Sequence, residues 1–168
     1  NSGAIKCAVA RVTTGRLGSV PRSPITLEQL KEECTDKVDG IAERYAALEA
    51  LGFHQGRFQT IVAAWLSDPQ ETVVAQLRVA SGHEHDEWYH AHPATLDGAF
   101  QLVGMLTSGT SGSNNALVPA SVNRVVVHRR WGRDDADGGN AFVWVRGRLV
   151  ESTDRGCVVD FEMLDELG

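Results

Sequence analysis

The sequence predicts an α+β fold in which antiparallel strands surround one long apolar helix. An apolar pattern with helical spacing covers residues 93–107, and segments with strand patterns precede and follow it. The order is one strand, two short helices, two strands, the long helix and three further strands. The chain has 168 residues, of which 42% are hydrophobic. It is therefore predicted to form a single unit over 1–168, the size of one domain or of one half of a two-fold repeated domain.

Two helices and three strands are predicted before the long helix. Thr26 and Gln29 have capping-box spacing and begin a helix that ends near Cys34. A second helix stops at Gly52, because glycine readily adopts the conformation that ends a helix. The strands are predicted at residues 5–12, 58–66 and 72–80, with a turn at 67–70.

The long helix is predicted to begin at Pro93, because the first helical turn needs no backbone donor from that residue. Three strands follow it, at residues 121–130, 141–151 and 157–164. The apolar stripe of the helix is predicted to consist of Leu96, Phe100, Val103 and Leu106.

Charge and composition exclude several classes of function. The net charge of −6 argues against nucleic acid as the main partner, since phosphate binding needs a basic surface. No apolar run is long enough to span a membrane, and no export signal is visible. The three cysteines, Cys7, Cys34 and Cys157, form no CxxC pair, which favours the reducing cytoplasm over a disulfide framework. The absence of an initial methionine suggests a segment of a longer polypeptide.

Asp97 and Gln101 are the main candidates for chemistry. They are four residues apart on the long helix and should share one face, directed toward the expected core. An aspartate near a helix start is usually a cap or a first-turn charge. A buried carboxyl is costly unless it is paired or protonated, so this position also suits a proton donor.

The histidine-rich residues 83–92 match no metal-ligand spacing, and a polar loop before a helix explains them. We therefore predict no metal site. His92 is expected near the helix cap, with its ring bonded locally. Residues 52–56 are glycine-rich but lack a phosphate-binding pattern.

The run from Tyr89 to Gln101 resembles the HPxxxDxxxQ signature of the C-terminal hot-dog subdomain in polyketide synthase dehydratase domains. Residues 45–58, 117–122 and 159–165 resemble further segments of that family, in the same order. The resemblance implies a hot-dog fold, in which an antiparallel sheet wraps around one long central helix. It also implies that this unit is half of a double hot-dog.

The same resemblance implies dehydration of a 3-hydroxyacyl thioester to the enoyl product. Asp97 would be the acid and Gln101 would orient it, while a histidine of the opposing subdomain removes the α-proton. Burial must then favour the protonated carboxyl more than the helix N-terminus favours the ionised one. No cofactor is expected to be bound, since the substrate arrives on the phosphopantetheine of acyl carrier protein. The substrate tunnel implied by the resemblance is lined by His92, Pro93, Gly56, Phe58 and Pro119.

Three departures from the family pattern bear on this reading. The family's Tyr-Gly-Pro is Gln55-Gly56-Arg57 here, and the Phe and Trp of its Leu-Pro-Phe-Ser-Trp segment are Ala120 and Val122. The catalytic His-x-x-x-Gly-x-x-x-x-Pro motif does not occur in this sequence. A second hot-dog unit is therefore expected as a partner, either the N-terminal dehydratase half or another copy of this chain.

Two other functions stay open. A double-bond isomerase or a product-template-like cyclase would use the same pair, and a catalytically silent dehydratase-like unit would serve assembly or carrier-protein docking. One basic patch could steer an acidic carrier protein, although a solvated strand end explains it equally well. The residues of that patch considered for docking are Arg129, Arg130 and Arg133.

Overall fold

The computed structural model describes residues 26–50, 52, 56–79, 89, 91–107, 119–127, 142–153 and 156–164. Its helices are α1 (Leu27–Glu33), α2 (Ile41–Ala50), α3 (Pro93–Gln101) and α4 (Val103–Leu106), with a 3-10 turn at Gly56–Phe58. Its strands are β1 (Asp36–Lys37), β2 (Ile61–Leu66), β3 (Thr72–Arg78), β4 (Phe142–Thr153) and β5 (Gly156–Leu164). The strand predicted at 5–12 lies outside the described residues.

The five strands form one sheet in the order β1-β2-β3-β4-β5, and each is antiparallel to its neighbour. The predicted turn between β2 and β3 is confirmed, with Ser67 N donating to Thr72 O at 2.9 Å. Register shifts occur at Ile61/Ala63 in β2 and at Leu149/Glu151 in β4. A bulge of this kind bends a strand, so both help the sheet to curve. The predicted α+β class is confirmed.

One face of the sheet packs against α3 and α4. The cluster on this face includes Val73, Ala75 and Leu77 of β3 together with Leu102 and Leu106. These β3 residues alternate along the strand, as side chains that share one face of a sheet must.

The prediction of one uninterrupted helix over 93–107 was wrong at Leu102. There the backbone N–H bonds to Ala99 O, three residues back, and not four. This tighter 3-10 bonding separates α3 from α4.

The predicted apolar stripe was also wrong in part. Leu96, Phe100 and Val103 are only half-buried. The residues of α3 that are fully buried are small, namely Ala94, Thr95, Gly98 and Ala99. Small side chains bring the helix axis closer to the sheet than the predicted leucine and phenylalanine would allow.

The other face of the sheet packs against α1. Leu30 and Cys34 are buried there against Val74 and Trp144. The predicted capping box is confirmed, since Thr26 Oγ1 accepts from Gln29 N at 3.2 Å and Gln29 Oε1 accepts from Thr26 N at 2.9 Å.

Two strand predictions need correction. The strand predicted at 58–66 begins only at Ile61, because residues 56–58 form the 3-10 turn. The strand predicted at 121–130 is wrong for residues 121–127, which have no strand structure. Val122 and Val125 are exposed in that segment, so its apolar pattern is not buried by the described part of this unit. Residues 128–130 lie outside the described ranges.

No helix in the described ranges is both long enough and apolar enough to cross a membrane.

Candidate active site

His92 and Pro93 begin α3. His92 is the N-cap residue and its Nδ1 accepts a hydrogen bond from Ala94 N at 3.1 Å, while Pro93 occupies the first turn. The bond satisfies one of the backbone donors that every helix start leaves without an intrahelical partner. Both positions agree with the expectation from sequence, and they fix where the helix starts relative to Asp97.

Arg57 lies against the second nitrogen of that histidine, with its Nη2 3.1 Å from His92 Nε2. A neutral imidazole has one donor nitrogen and one acceptor nitrogen, and a guanidinium can only donate. Ala94 N donates to Nδ1, and Arg57 can only donate to Nε2. Arg57 and Ala94 N therefore compete for the single acceptor of a neutral His92 ring, which is held at the start of α3.

Asp97 and Gln101 are joined as the sequence predicts. Gln101 Nε2 donates to Asp97 Oδ2 at 2.6 Å across one helical turn. Gln101 Nε2 also lies 3.4 Å from Phe58 O, which belongs to the 3-10 turn. The amide of Gln101 thus connects the carboxyl to the segment that leads into β2.

The prediction that the pair faces the core was wrong. Asp97 and Gln101 are both half-buried, and they share a helical face with the exposed residues Pro93 and Gly104. The buried face is the opposite one. A carboxyl on this flank can be reached by a molecule that approaches the unit from outside.

The 3-10 turn brings two further predicted residues to the site. Gly56 has φ +44°, a backbone conformation that favours glycine. Phe58 presents its carbonyl to Gln101 and leaves its side chain 37% exposed. The turn is also fastened toward α2, because Gln59 Nε2 donates to Glu49 Oε1 at 3.0 Å.

Tyr45 of α2 adds a buried hydroxyl near this region. Its Oη accepts from Ile61 N at 3.0 Å, at the start of β2. Burial raises the pKa of Tyr45 above its ordinary value, hydrogen bonds from the backbone of Ile61 and Thr60 oppose that shift, and Asp97 adds to it when it is ionised. The relation between this hydroxyl and Asp97 appears only in the structure.

The comparisons with known proteins agree with this geometry. A family model described as "Polyketide synthase dehydratase N-terminal domain" matches residues 22–168. The chain belongs to the polyketide synthase dehydratase family. Among proteins with curated functions, none matches this sequence.

Solved dehydratase structures share the fold. The dehydratase domain from the CurJ module of the curacin polyketide synthase is 25% identical, with a TM-score of 0.69 over 89% of this chain and 51% of that chain. An inactive mutant of the CurK dehydratase is 21% identical, with a TM-score of 0.60 over 93% of this chain and 50% of that chain. A second inactive CurK mutant is 20% identical, with a TM-score of 0.61 over 89% and 50%.

This dehydratase-family chain therefore has the hot-dog fold, with the antiparallel sheet curved around α3 and α4. It spans about half the length of the dehydratase structures that it matches, which is the span of one hot-dog unit in a double hot-dog.

The described part of this dehydratase-family unit contains an open cavity. Its volume is about 400 Å³ and it lies between α2 and β2. Neither Asp97 nor Gln101 lines it; the residues that do include Ile41, Tyr45, Glu49 and Ile61. This cavity is therefore not the acyl tunnel that the family resemblance implies.

The remaining predicted residues are not brought to the pair by the described contacts. Pro119 is exposed at the start of segment 119–127, and its part in a tunnel stays a prediction. The docking residues Arg129, Arg130 and Arg133 lie outside the described residues. Within the part of the chain that the structure describes, no group of three or more His, Cys, Asp or Glu side chains is placed to hold a metal ion.

Sequence reasoning missed the contact between Thr60, which precedes β2, and Gly98 of α3. A threonine before a strand and a glycine within a helix carry no signal of their own. Their importance depends on how closely the two elements approach.

Proposed function

We propose that this chain is the C-terminal hot-dog subdomain of a polyketide synthase dehydratase and supplies the acid half of its active site. The observation that carries the proposal is the 2.6 Å bond between Gln101 Nε2 and Asp97 Oδ2 on the accessible face of α3. The matching family model is described as an N-terminal domain. Our assignment to the C-terminal half rests on the Asp97–Gln101 motif and on the lack of the histidine motif in the sequence.

The geometry suits proton donation to a leaving hydroxyl. Loss of water from a 3-hydroxyacyl thioester requires a base for the α-proton and an acid for the departing oxygen. Because Gln101 donates to Oδ2, the proton of Asp97 belongs on Oδ1, and that oxygen would face the substrate hydroxyl. As the C–O bond breaks, the proton passes to the leaving oxygen and Asp97 becomes a carboxylate. The Gln101 N–H then stabilises the new charge, since hydrogen bonds to ionised groups are stronger than neutral ones.

The base would come from a second hot-dog unit. A histidine of that unit would take the α-proton, and the apolar surface around Leu96, Phe100 and Val103, half-buried here, would be covered by it. The two units together would form the acyl tunnel, lined on this side by the Gly56–Phe58 turn and the helix start at His92 and Pro93. The substrate would arrive on the phosphopantetheine of acyl carrier protein, in the cytoplasm, and no other cofactor is required by this chemistry.

The test is dehydration of a 3-hydroxyacyl carrier protein by this chain combined with an N-terminal dehydratase half, in cis or in trans. Asp97→Asn removes the transferable proton and keeps the shape, and should lower the rate by about 10²–10⁴-fold. Asp160→Asn is the matched control, because Asp160 is exposed on β5 and pairs only at the surface with Arg148. Parental activity in Asp97→Asn would refute the acid role.

The same experiment addresses the alternatives. A silent docking unit is favoured by the missing histidine motif and by Arg57 in place of the family's proline. It would bind carrier protein without turnover, and Asp97→Asn would not change that binding. An isomerase or cyclase would reveal itself in the products from a β,γ-unsaturated or a poly-β-keto substrate.

A further inference from the structure

At Gly98, α3 lies directly against Thr60, the residue that precedes β2. A Cβ added to Gly98 would overlap Thr60 Oγ1, and it would lie 3.3 Å from Leu77 Cδ1 and 3.4 Å from Thr60 Cβ. A small shift would relieve the contacts with Leu77 Cδ1 and Thr60 Cβ, but it would not relieve the overlap with Thr60 Oγ1. Glycine is therefore required at this position by the presence of Thr60.

Thr60 is held firmly on its own side of the contact. It is 3% exposed, its N–H donates to Phe58 O at 2.9 Å, and its carbonyl accepts from Arg78 N at 2.8 Å. Its Oγ1 also points to the helix backbone, 3.4 Å from Ala94 O. With both backbone groups bonded, Thr60 cannot retreat from a larger residue at position 98 without disturbing β3 and the turn.

The contact controls the geometry of the carboxyl–amide pair. Gly98 follows Asp97 directly and precedes Gln101 by less than one turn, so any lift of α3 at Gly98 moves both side chains. The carbonyl that receives the Gln101 amide, Phe58 O, lies two residues before Thr60. The separation of Thr60 from Gly98 thus sets the distance between Gln101 and its anchor.

We propose that Thr60 and Gly98 are positioning residues for the pair of Asp97 and Gln101, acting as a steric stop that fixes how closely the helix approaches the strand. A larger residue at position 98 should displace the pair, and a smaller residue at position 60 should restore its position. The catalytic consequence of this stop rests on the proposed dehydration; its effect on the Gln101 amide does not.

The test enlarges the residue at position 98 and reduces the residue at position 60, separately and together. Gly98→Ala introduces the overlap, and Thr60→Ala removes the atom that causes it, leaving Cβ at an ordinary distance. The double variant Gly98→Ala/Thr60→Ala should therefore behave like the parent, whereas Gly98→Ala/Thr60→Val keeps a methyl group in the place of Oγ1 and should not. Gly104→Ala is the matched control, because an added Cβ there meets nothing within 4 Å.

Two readouts distinguish positioning from simple destabilisation. The first is the NMR shift of the Gln101 side-chain amide protons, one of which is hydrogen-bonded to Asp97. Gly98→Ala should move these resonances toward those of an unbonded amide, Thr60→Ala should restore them in the double variant, and Gly104→Ala should leave them unchanged.

The second readout is turnover with the N-terminal half present. Gly98→Ala should reduce kcat by up to about 10²-fold with little change in KM, because displacement of a catalytic group by about 1 Å costs that much. The double variant with alanine at position 60 should recover kcat, and the one with valine should not. If Gly98→Ala does not fold, the comparison of the two double variants decides the matter.

The outcomes separate this inference from the proposed function. An unshifted Gln101 amide in Gly98→Ala, or equal behaviour of the two double variants, would overturn the steric stop even where Asp97→Asn abolishes dehydration. Conversely, the Gln101 amide resonances could shift in Gly98→Ala and return in Gly98→Ala/Thr60→Ala while the parent shows no dehydration. That result would support the steric stop and refute the proposed dehydratase activity.

Discussion

The sheet carries α1 on one face and α3 on the other, and these two helices are fastened in opposite ways. α1 is held by large side chains, with Leu30 fully buried and Lys31 Nζ 4.9 Å from the Trp144 ring centre. α3 meets the sheet through small residues, and Gly98 lies directly against Thr60.

The difference indicates what each side contributes. Long side chains can change rotamer when a helix shifts, so α1 adds buried apolar area without fixing a position finely. A glycine against a hydrogen-bonded threonine has no such freedom. The α1 face is therefore suited to stability, and the α3 face to holding Asp97 and Gln101 in place.

The largest expected effect lies on the α1 face. Leu30→Ala leaves a cavity against Val74 and Trp144, and should cost about 2–5 kcal/mol in the free energy of unfolding. Urea denaturation would measure it, with the exposed Glu28→Ala as control. The Gln101 amide resonances should stay where they are below the transition; a shift of those resonances in Leu30→Ala would remove the distinction between the faces.

Tyr45→Phe probes the α3 face without adding volume. It removes the acceptor of the buried Ile61 N–H, and an unsatisfied buried donor should cost about 1–3 kcal/mol. Unfolding in urea measures the loss, and hydrogen exchange should show faster exchange of the Ile61 amide. Parental stability in Tyr45→Phe would mean that this hydroxyl contributes nothing to the start of β2.

A smaller effect is expected at the start of α1. Thr26→Ala removes the capping side chain that accepts from Gln29 N, and should cost about 1 kcal/mol. Gln29→Ala removes only the reciprocal bond to Thr26 N and should cost less. The comparison uses thermal or urea unfolding of the two variants, and the reverse order of their losses would contradict the capping-box account.

The smallest expected effect on the free energy of unfolding at neutral pH is that of the Cys34 thiol. Burial, together with the charge of Glu33, raises the pKa of this thiol to about 11, against the opposing effects of Arg146 and of a hydrogen bond to the Val74 backbone. Because the folded pKa exceeds the unfolded value of 9.0, the fold favours the protonated thiol. This stabilisation is complete below pH 9.0 and is lost as the pH rises toward about 11.

The measurement is urea unfolding at a series of pH values from neutral to alkaline, in the parent and in Cys34→Ala. Other groups that titrate in this range, Tyr45 among them, are common to both proteins and cancel in the difference. The parent should lose more stability than the variant as the pH rises. An identical pH dependence in both proteins would show that the thiol does not contribute.

Local signals in the sequence were enough for much of this fold. The capping residues Thr26 and Gln29 predicted the start of α1, and Pro93 predicted the start of α3, because both depend on adjacent backbone groups. The four-residue spacing of Asp97 and Gln101 likewise predicted their hydrogen bond, since helical geometry alone brings them together.

What depends on distant partners could not be predicted in this way. The valines of segment 121–127 have a strand-like pattern, but a strand also needs a neighbour with free backbone groups, and the pattern does not specify one. The buried face of α3 was assigned to its largest apolar residues, whereas the close approach at Thr60 selected the smallest. The pair lies on the half-buried flank of α3, away from these small residues.

Gly147 of β4 leaves a hollow in the sheet that the ring of Phe161 from β5 occupies, with Phe161 Cε1 2.9 Å from where a Cβ would lie. The same ring meets Phe100 of α3 edge-on, at 6.0 Å between centroids. β5 is the last strand of the described sheet, yet through this one ring it bears on the helix that carries Asp97. A bend of that outer strand would therefore be transmitted to α3, and a fluorine label on Phe161 would register the movement of either element.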